Sequence, residues 1–374
     1  MKRYAKMLPI ALLVFAFASC DEDIPEVLEV PETYSFERDG ASTVNYSGQT
    51  ERLAHLTAMK SMMNSGNAGN EISGQDLLDM FANTGGDGNG NFSFTSTKQL
   101  KDKTASGDQS YFENLMTAMG TASEAGAADV MAEDGVAGLV VRGTGSILVN
   151  EKGHEFTQLI EKGIMGATFY YQMLSIYLSD ARVGDAVENT LLVDGENYTP
   201  MEHHWDEAFG YLGVPVDFSS DWPADRNSET IFWGNYTRGR DALLGSSDVI
   251  MNAFKTGRAA ISAQQYDIKN DQRDIIYTEL ERICAATAIH YINSSLANTS
   301  NNGEFLHALS ELYAFIRALN FSPRAAFTSA EITQLLKDIS DEDFNFWNTT
   351  TTGLNEAKTK ISTKFGFDAI KDLL

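Results

Sequence analysis

Two short stretches carry the residues best suited to bind a metal ion or a small polar ligand. In PMEHHWDEAFGYLGVP, Pro200 to Pro215, the residues His203, His204, Asp206 and Glu207 form the densest set of potential ligands in the chain. As a helix, this stretch puts His203 and Glu207 on one face and turns His204 about 100° away. An imidazole and a carboxylate side by side suit an iron or other divalent metal ion, with neighbouring acids to hold it. The alternative is structural: Trp205, Phe209 and Leu212 bury the segment, and its polar residues cap other helices or face water. In GHEFTQLIEKGIMGA, which begins at Gly153, Glu155 and Gln158 stand at the start of a long apolar-striped run. They either point into a cleft or cap a helix N-terminus, where the dipole favours an acid. The expected ligand-binding cleft is therefore lined by Gly153, Glu155, Gln158, His203 and Glu207, with His203 and Glu207 as its metal ligands.

Other chemistries find less support. Six histidines are present, with no HExxH and no GxSxG. A di-iron bundle needs two Glu-x-x-His elements, and Glu304-x-x-His307 is the single one. His307 and Glu311 then read as a pair on a helix surface. Asp87, Asn89 and Asn91 open like a calcium loop, but Phe92 takes the glycine position and Lys98 the glutamate position.

Periodicity supplies the elements that must position these residues. Leu53, Leu56, Met59 and Met63 recur at helical spacing, as do Phe156, Ile160, Ile164, Ala167, Tyr171 and Leu174. The His-rich stretch is a short helix from about Glu202 that stops at Gly213, ahead of Pro215. Thr328 and Glu331 form a capping box at the start of a later helix. Residues 134–153 are rich in glycine and β-branched residues and read as an irregular connection, and 180–197 as a linker. The expected fold is all-α: two packed helical bundles, residues 50–198 and 199–374, behind an irregular N-terminal tether over 20–49 with a short extended segment around Tyr34 to Tyr46.

The first 19 residues have the form of a signal peptide. Lys2, Arg3 and Lys6 precede an apolar run from Met7 to Phe17, then Ala18 and Ser19 lead to Cys20. Cys20 is the expected lipidation site, so the mature chain is anchored to the membrane by lipid rather than by a spanning helix. Cys284 has no second partner for a disulfide, which leaves stability to the core. Loss of the leader removes three of 28 basic residues and none of 52 acidic ones. So acidic a chain disfavours nucleic acid as a partner and is compatible with cations.

With its leader, GHEFTQLIEKGIMGA, HHWDEAFGYLGVP and HALSELYAFIRAL, the chain resembles an uncharacterised family of Bacteroidetes lipoproteins placed near the imelysins. The resemblance implies two helical bundles with a Gly-x-His-x-x-Glu motif at the cleft between them. Gly153 matches that motif, Glu155 stands where His is expected and Gln158 where Glu is expected, with His154 adjacent but out of register. The resemblance also implies a role as an accessory protein of iron or haem uptake at the outer membrane, facing the periplasm or the cell surface. Asp21, Glu22 and Asp23 resemble a surface-export signal. Two alternatives stand beside it: an imelysin-type metallopeptidase, for which neither motif ligand is kept, and a structural partner of an outer-membrane transporter.

Overall fold

The computed structural model describes residues 28–374, so the leader and Cys20 lie outside the described residues. The described chain begins as a strap over residues 28–46, with a small hairpin of β1 (Glu37–Arg38) and β2 (Ala41–Ser42) where an extended segment is expected. Helices follow: α1 (Ser47–Asn67), α2 (Gly74–Ala82), α3 (Gln109–Ala127) and α4 (Phe156–Ile164). After α5 (Asp180–Val183) come α6 (Pro200–Leu212), α7 (Trp233–Leu244), α8 (Ser246–Ser262) and the long α9 (Tyr266–Ala297). The chain closes with α10 (Asn302–Ala318), α11 (Ser329–Ile339) and α12 (Thr351–Phe365). The fold is all-α, as its apolar periodicity requires, and among the described residues no helix is long and apolar enough to cross a membrane.

One expectation is corrected. Residues 134–153 hold a second hairpin, β3 (Gly138–Arg142) antiparallel to β4 (Gly145–Val149), in register Gly138 to Val149. Val140, Val141, Ile147 and Val149 favour a pleated strand, and Gly143, at φ 58°, makes the turn. The run after α4 also departs from an ordinary helix. It widens into π-helical turns over Met165–Tyr170 and Gln172–Tyr177. Donors from outside reach backbone carbonyls along this stretch: Trp233 Nε1 to Met165 at 3.0 Å and the Tyr277 hydroxyl to Leu174 at 2.7 Å.

Packing joins the two segments. α4 lies on α10, α1 on α6, and α9 runs between α8 and α10, so a single apolar core extends from Tyr34 to Leu374. The strap is fastened to this body by charge. Arg258 on α8, fully buried, bonds Glu202 at 3.0 Å and Asp206 at 2.9 Å, both on α6. Tyr34 donates to Asp206 at 2.7 Å and Arg38 to Glu202 at 2.8 Å, while Arg258 also reaches Thr43 Oγ1 at 3.0 Å. Burial pushes Asp206 up to about 6 against the opposing pull of Arg258. Glu202 and Asp206 thus share the Arg258 cation, which buried carboxylates require.

Candidate functional site

A tight turn delivers Glu155 to the first turn of α4. The Asn150 side chain accepts from the backbone of Lys152 at 2.9 Å and of His154 at 3.0 Å, and Gly153 adopts φ 77°. A Cβ at Gly153 would stand 2.9 Å from the Leu306 side chain and 3.2 Å from the Trp347 indole nitrogen, so the motif's glycine is required by space and by backbone alike. His154, the out-of-register histidine, is structural. Its ring packs on Phe346 at 4.1 Å, its Nε2 lies 2.6 Å from the Phe344 carbonyl, and burial lowers its pKa to about 4.

Glu155 is the residue preceding the helix, yet its carboxylate caps nothing. It crosses to α10 and meets His307 Nδ1 at 2.7 Å, while the Glu155 amide donates to Ser310 Oγ at 2.8 Å. His307 Nε2 lies 3.3 Å from Glu311 Oε1, one turn along α10. One imidazole is therefore held between two carboxylates from two helices. Burial alone would lower the His307 pKa, but the bonds to Glu155 and Glu311 overcome it and raise the ring to about 9. His307 is an imidazolium at neutral pH, 15 % exposed, above carboxylates that are 1 % and 6 % exposed.

Further charges complete the cluster. Burial would raise Glu311, but Lys162 and His307 hold it down to about 2. Lys162 itself is kept protonated by Glu311 and Glu161 against its own burial, and Glu161 also pairs with Lys60 at 2.9 Å. The Tyr236 hydroxyl reaches Glu311 Oε2 at 3.3 Å. Gln158 Nε2 donates to Glu155 Oε1 at 3.3 Å, and Asn67 Nδ2 adds a bond of the same length. The Gln158 carbonyl oxygen is buried, in a residue 7 % exposed, with no donor from the protein. An unmet acceptor of this kind costs about 1–3 kcal/mol.

The second motif lies elsewhere. Gln49, near the start of α1, donates to Glu207 at 3.0 Å, whereas Asn67, at its end, bonds Glu155. Eighteen residues of helix place these points roughly 27 Å apart. The expected shared cleft is thus corrected: Glu155 and Gln158 sit at one end of α1, and His203 and Glu207 at the other. Within α6, His203 and Glu207 share a face as expected, and His204 also reaches that carboxylate. His204 Nδ1 is 3.1 Å from Glu207 Oε2, closer than His203 Nε2 at 3.8 Å from Oε1. His203 also stacks on Tyr198, ring centroids 4.4 Å apart, and burial lowers its pKa.

A bound metal, implied by the resemblance, does not fit these donors as arranged. Among the described residues no group of three or more His, Cys, Asp or Glu side chains is placed to hold a metal ion. Around α6, Glu202 and Asp206 are spent on Arg258, and Glu207 is taken by His204 and Gln49. At α4, a metal would have to displace a ring proton that His307 donates to Glu155 or to Glu311.

His307 and Glu311 are the functional candidates that periodicity alone assigned to a surface. The signal against that assignment lies in their neighbours: Ala314, Phe315 and Ala318 flank them on the same side, and with Leu306, Leu309 and Leu312 they make α10 apolar nearly all round, as a buried helix is. No curated protein and no solved structure matches the chain. One family does, described as Domain of unknown function (DUF4856), over residues 31–368. With nearly all of the described chain inside that match, this protein is a member of the DUF4856 family.

Proposed function

We propose that this protein is an outer-membrane lipoprotein, anchored through Cys20, that acts in nutrient uptake by binding an iron, haem or other metal complex, and that the α4–α10 cluster is its recognition element. The observation that carries this reading is the convergence of Glu155 and Glu311 on the partly exposed His307 ring, beside the buried Gln158 oxygen that lacks a donor. Maintaining such a buried polar group has a stability cost that a packed apolar pair would avoid, and perturbed ionisable groups of this kind gather at functional sites. Because the donors are committed to one another, the cargo is recognised as a whole complex, through charge and hydrogen bonds, and the protein does not ligate a bare ion. The imelysin resemblance agrees with a site at this turn, with Glu155 and Gln158 standing at the motif positions.

Thermal unfolding of the full-length chain in detergent, with haemin, ferric citrate, free Fe(II) and free Zn(II), tests the reading. A complex at about a hundred times its dissociation constant adds roughly 2.7 kcal/mol. The expected result is stabilisation by a complex, lost in Glu155→Gln and His307→Gln and kept in His203→Ala. Stabilisation by free Zn(II) with zinc-dependent peptide cleavage would replace this reading with the metallopeptidase. No stabilisation by any probe, with a transporter recovered on pulldown, would replace it with a structural role.

A further inference from the structure

A chamber of about 310 Å³ opens where the start of α3, the end of α10 and the start of α11 meet. Arg317, in the last turn of α10, pairs there with Asp108, the residue just ahead of α3. Arg317 lies ten residues from His307, so it stands about 15 Å further along the helix and on another face. The guanidinium carbon lies over Tyr111, 3.9 Å from the ring centroid, with Tyr313 at 6.0 Å. Phe344 and Leu336 add apolar wall, and a separate slot of about 10 Å³, lined by Phe112 and Gly163, shares Tyr111, Tyr313 and Arg317 with the chamber.

Two features of the ion pair are out of the ordinary. An aspartate at a helix start normally accepts from the first backbone amides, yet Asp108 makes no such bond and its carboxylate turns to Arg317. Burial holds its pKa above the usual carboxylate range even with Arg317 beside it, so this acid gains from a further cation. Arg317, for its part, has five N–H donors, and one carboxylate with one phenol cannot saturate them. The pair thus has charge of both signs left to offer inside an aromatic-walled chamber. Its volume lies at the small end of the range for ligand pockets.

The geometry points to a binding site for a free, apolar α-amino acid, its carboxylate on Arg317, its ammonium on Asp108 and its side chain against Tyr111, Tyr313 and Phe344. A zwitterion matches a site whose own charges cancel. A phosphate dianion would be repelled by Asp108, and an amine alone by Arg317. Planar bidentate recognition of a carboxylate is what an arginine pre-stacked on a ring is suited to do.

Isothermal titration calorimetry on the full-length chain in detergent tests this, with L-phenylalanine, L-leucine, 3-phenylpropionate and phenethylamine as probes. L-phenylalanine or L-leucine is expected to bind with a dissociation constant on the order of 1 mM or tighter. The two half-molecules should bind at least about tenfold more weakly, each lacking one charge-assisted contact. Arg317→Gln should abolish binding, Asp108→Asn should reduce L-phenylalanine to the level of 3-phenylpropionate, and His307→Gln should leave the site unchanged. Should Arg317→Gln fail to fold, Thr333→Trp blocks the exposed rim without touching the ion pair and is expected to abolish binding in a normally folded chain. Absence of heat with both amino acids, equal binding of 3-phenylpropionate, or binding that survives Thr333→Trp would overturn the proposal.

Discussion

His307 should make the stability of this protein depend on pH in the alkaline range. Its ring is raised from an ordinary 6.5 to about 9. A pKa unit is worth about 1.4 kcal/mol, so the protonated ring contributes about 3 kcal/mol to folding. The sign follows from which state holds the proton more tightly. The folded chain does, so the contribution is complete below about pH 6.5 and is lost as the pH rises through about 9. Glu311 gives the opposite flank. Lowered from 4.5 to about 2, it contributes above its ordinary value, and that contribution disappears as the pH falls through about 2. The two contributions describe one interaction from its two ends and are not additive. Urea unfolding of the full-length chain and of His307→Gln, from about pH 6 to about pH 10, isolates the effect. The variant should be less stable by about 3 kcal/mol near pH 6, and the gap should close towards pH 10. A gap that stays constant across this range would show that His307 is not an imidazolium in the folded chain, and the electrostatic account of the site would fall.

Two further substitutions test the frame that carries the site. Arg258→Ala strands Glu202 and Asp206 without their buried cation and should cost about 3–5 kcal/mol in chemical denaturation, whereas Arg258→Met combined with Glu202→Gln and Asp206→Asn should recover much of the loss. Gly257→Ala would bring a Cβ to 2.1 Å from the Trp205 ring, between α8 and α6. It should lower stability by about 1–3 kcal/mol, a change a thermal melt resolves, and a neutral result would contradict the close approach of α8 to α6.

The helical part of this fold was legible because its apolar residues repeat at three and four. The run from Leu53 to Met63 is α1, and Phe156 to Leu174 is α4 with its widened continuation. The Thr328–Glu331 capping box starts α11, and Thr199 with Glu202 forms another at the start of α6. The β3–β4 hairpin was missed because Gly138, Gly143 and Gly145 suggest irregular chain, while its strand signal sits in only a few β-branched residues. The site was half legible. Glu155 and Gln158 stood out at a helix entry, but their partner His307 lies 152 residues away and is brought in by the packing of α10 on α4. Nothing local marks such a pairing. His203 and Glu207 lie away from Glu155 for the converse reason: good local spacing does not reveal that Tyr198 stacks on His203 or that His204 also reaches Glu207.

On the proposed function, an imidazolium at His307 forms the face that meets a metal complex. Long-range proton–nitrogen NMR of the histidine rings in the full-length chain, at neutral pH and with ferric citrate added, tests it most directly. Both His307 nitrogens are expected to carry protons before addition, and the iron complex is then expected to broaden the His307 signals while those of His203 and His204 persist. A neutral His307 ring, or broadening confined to His203 and His204, would contradict it.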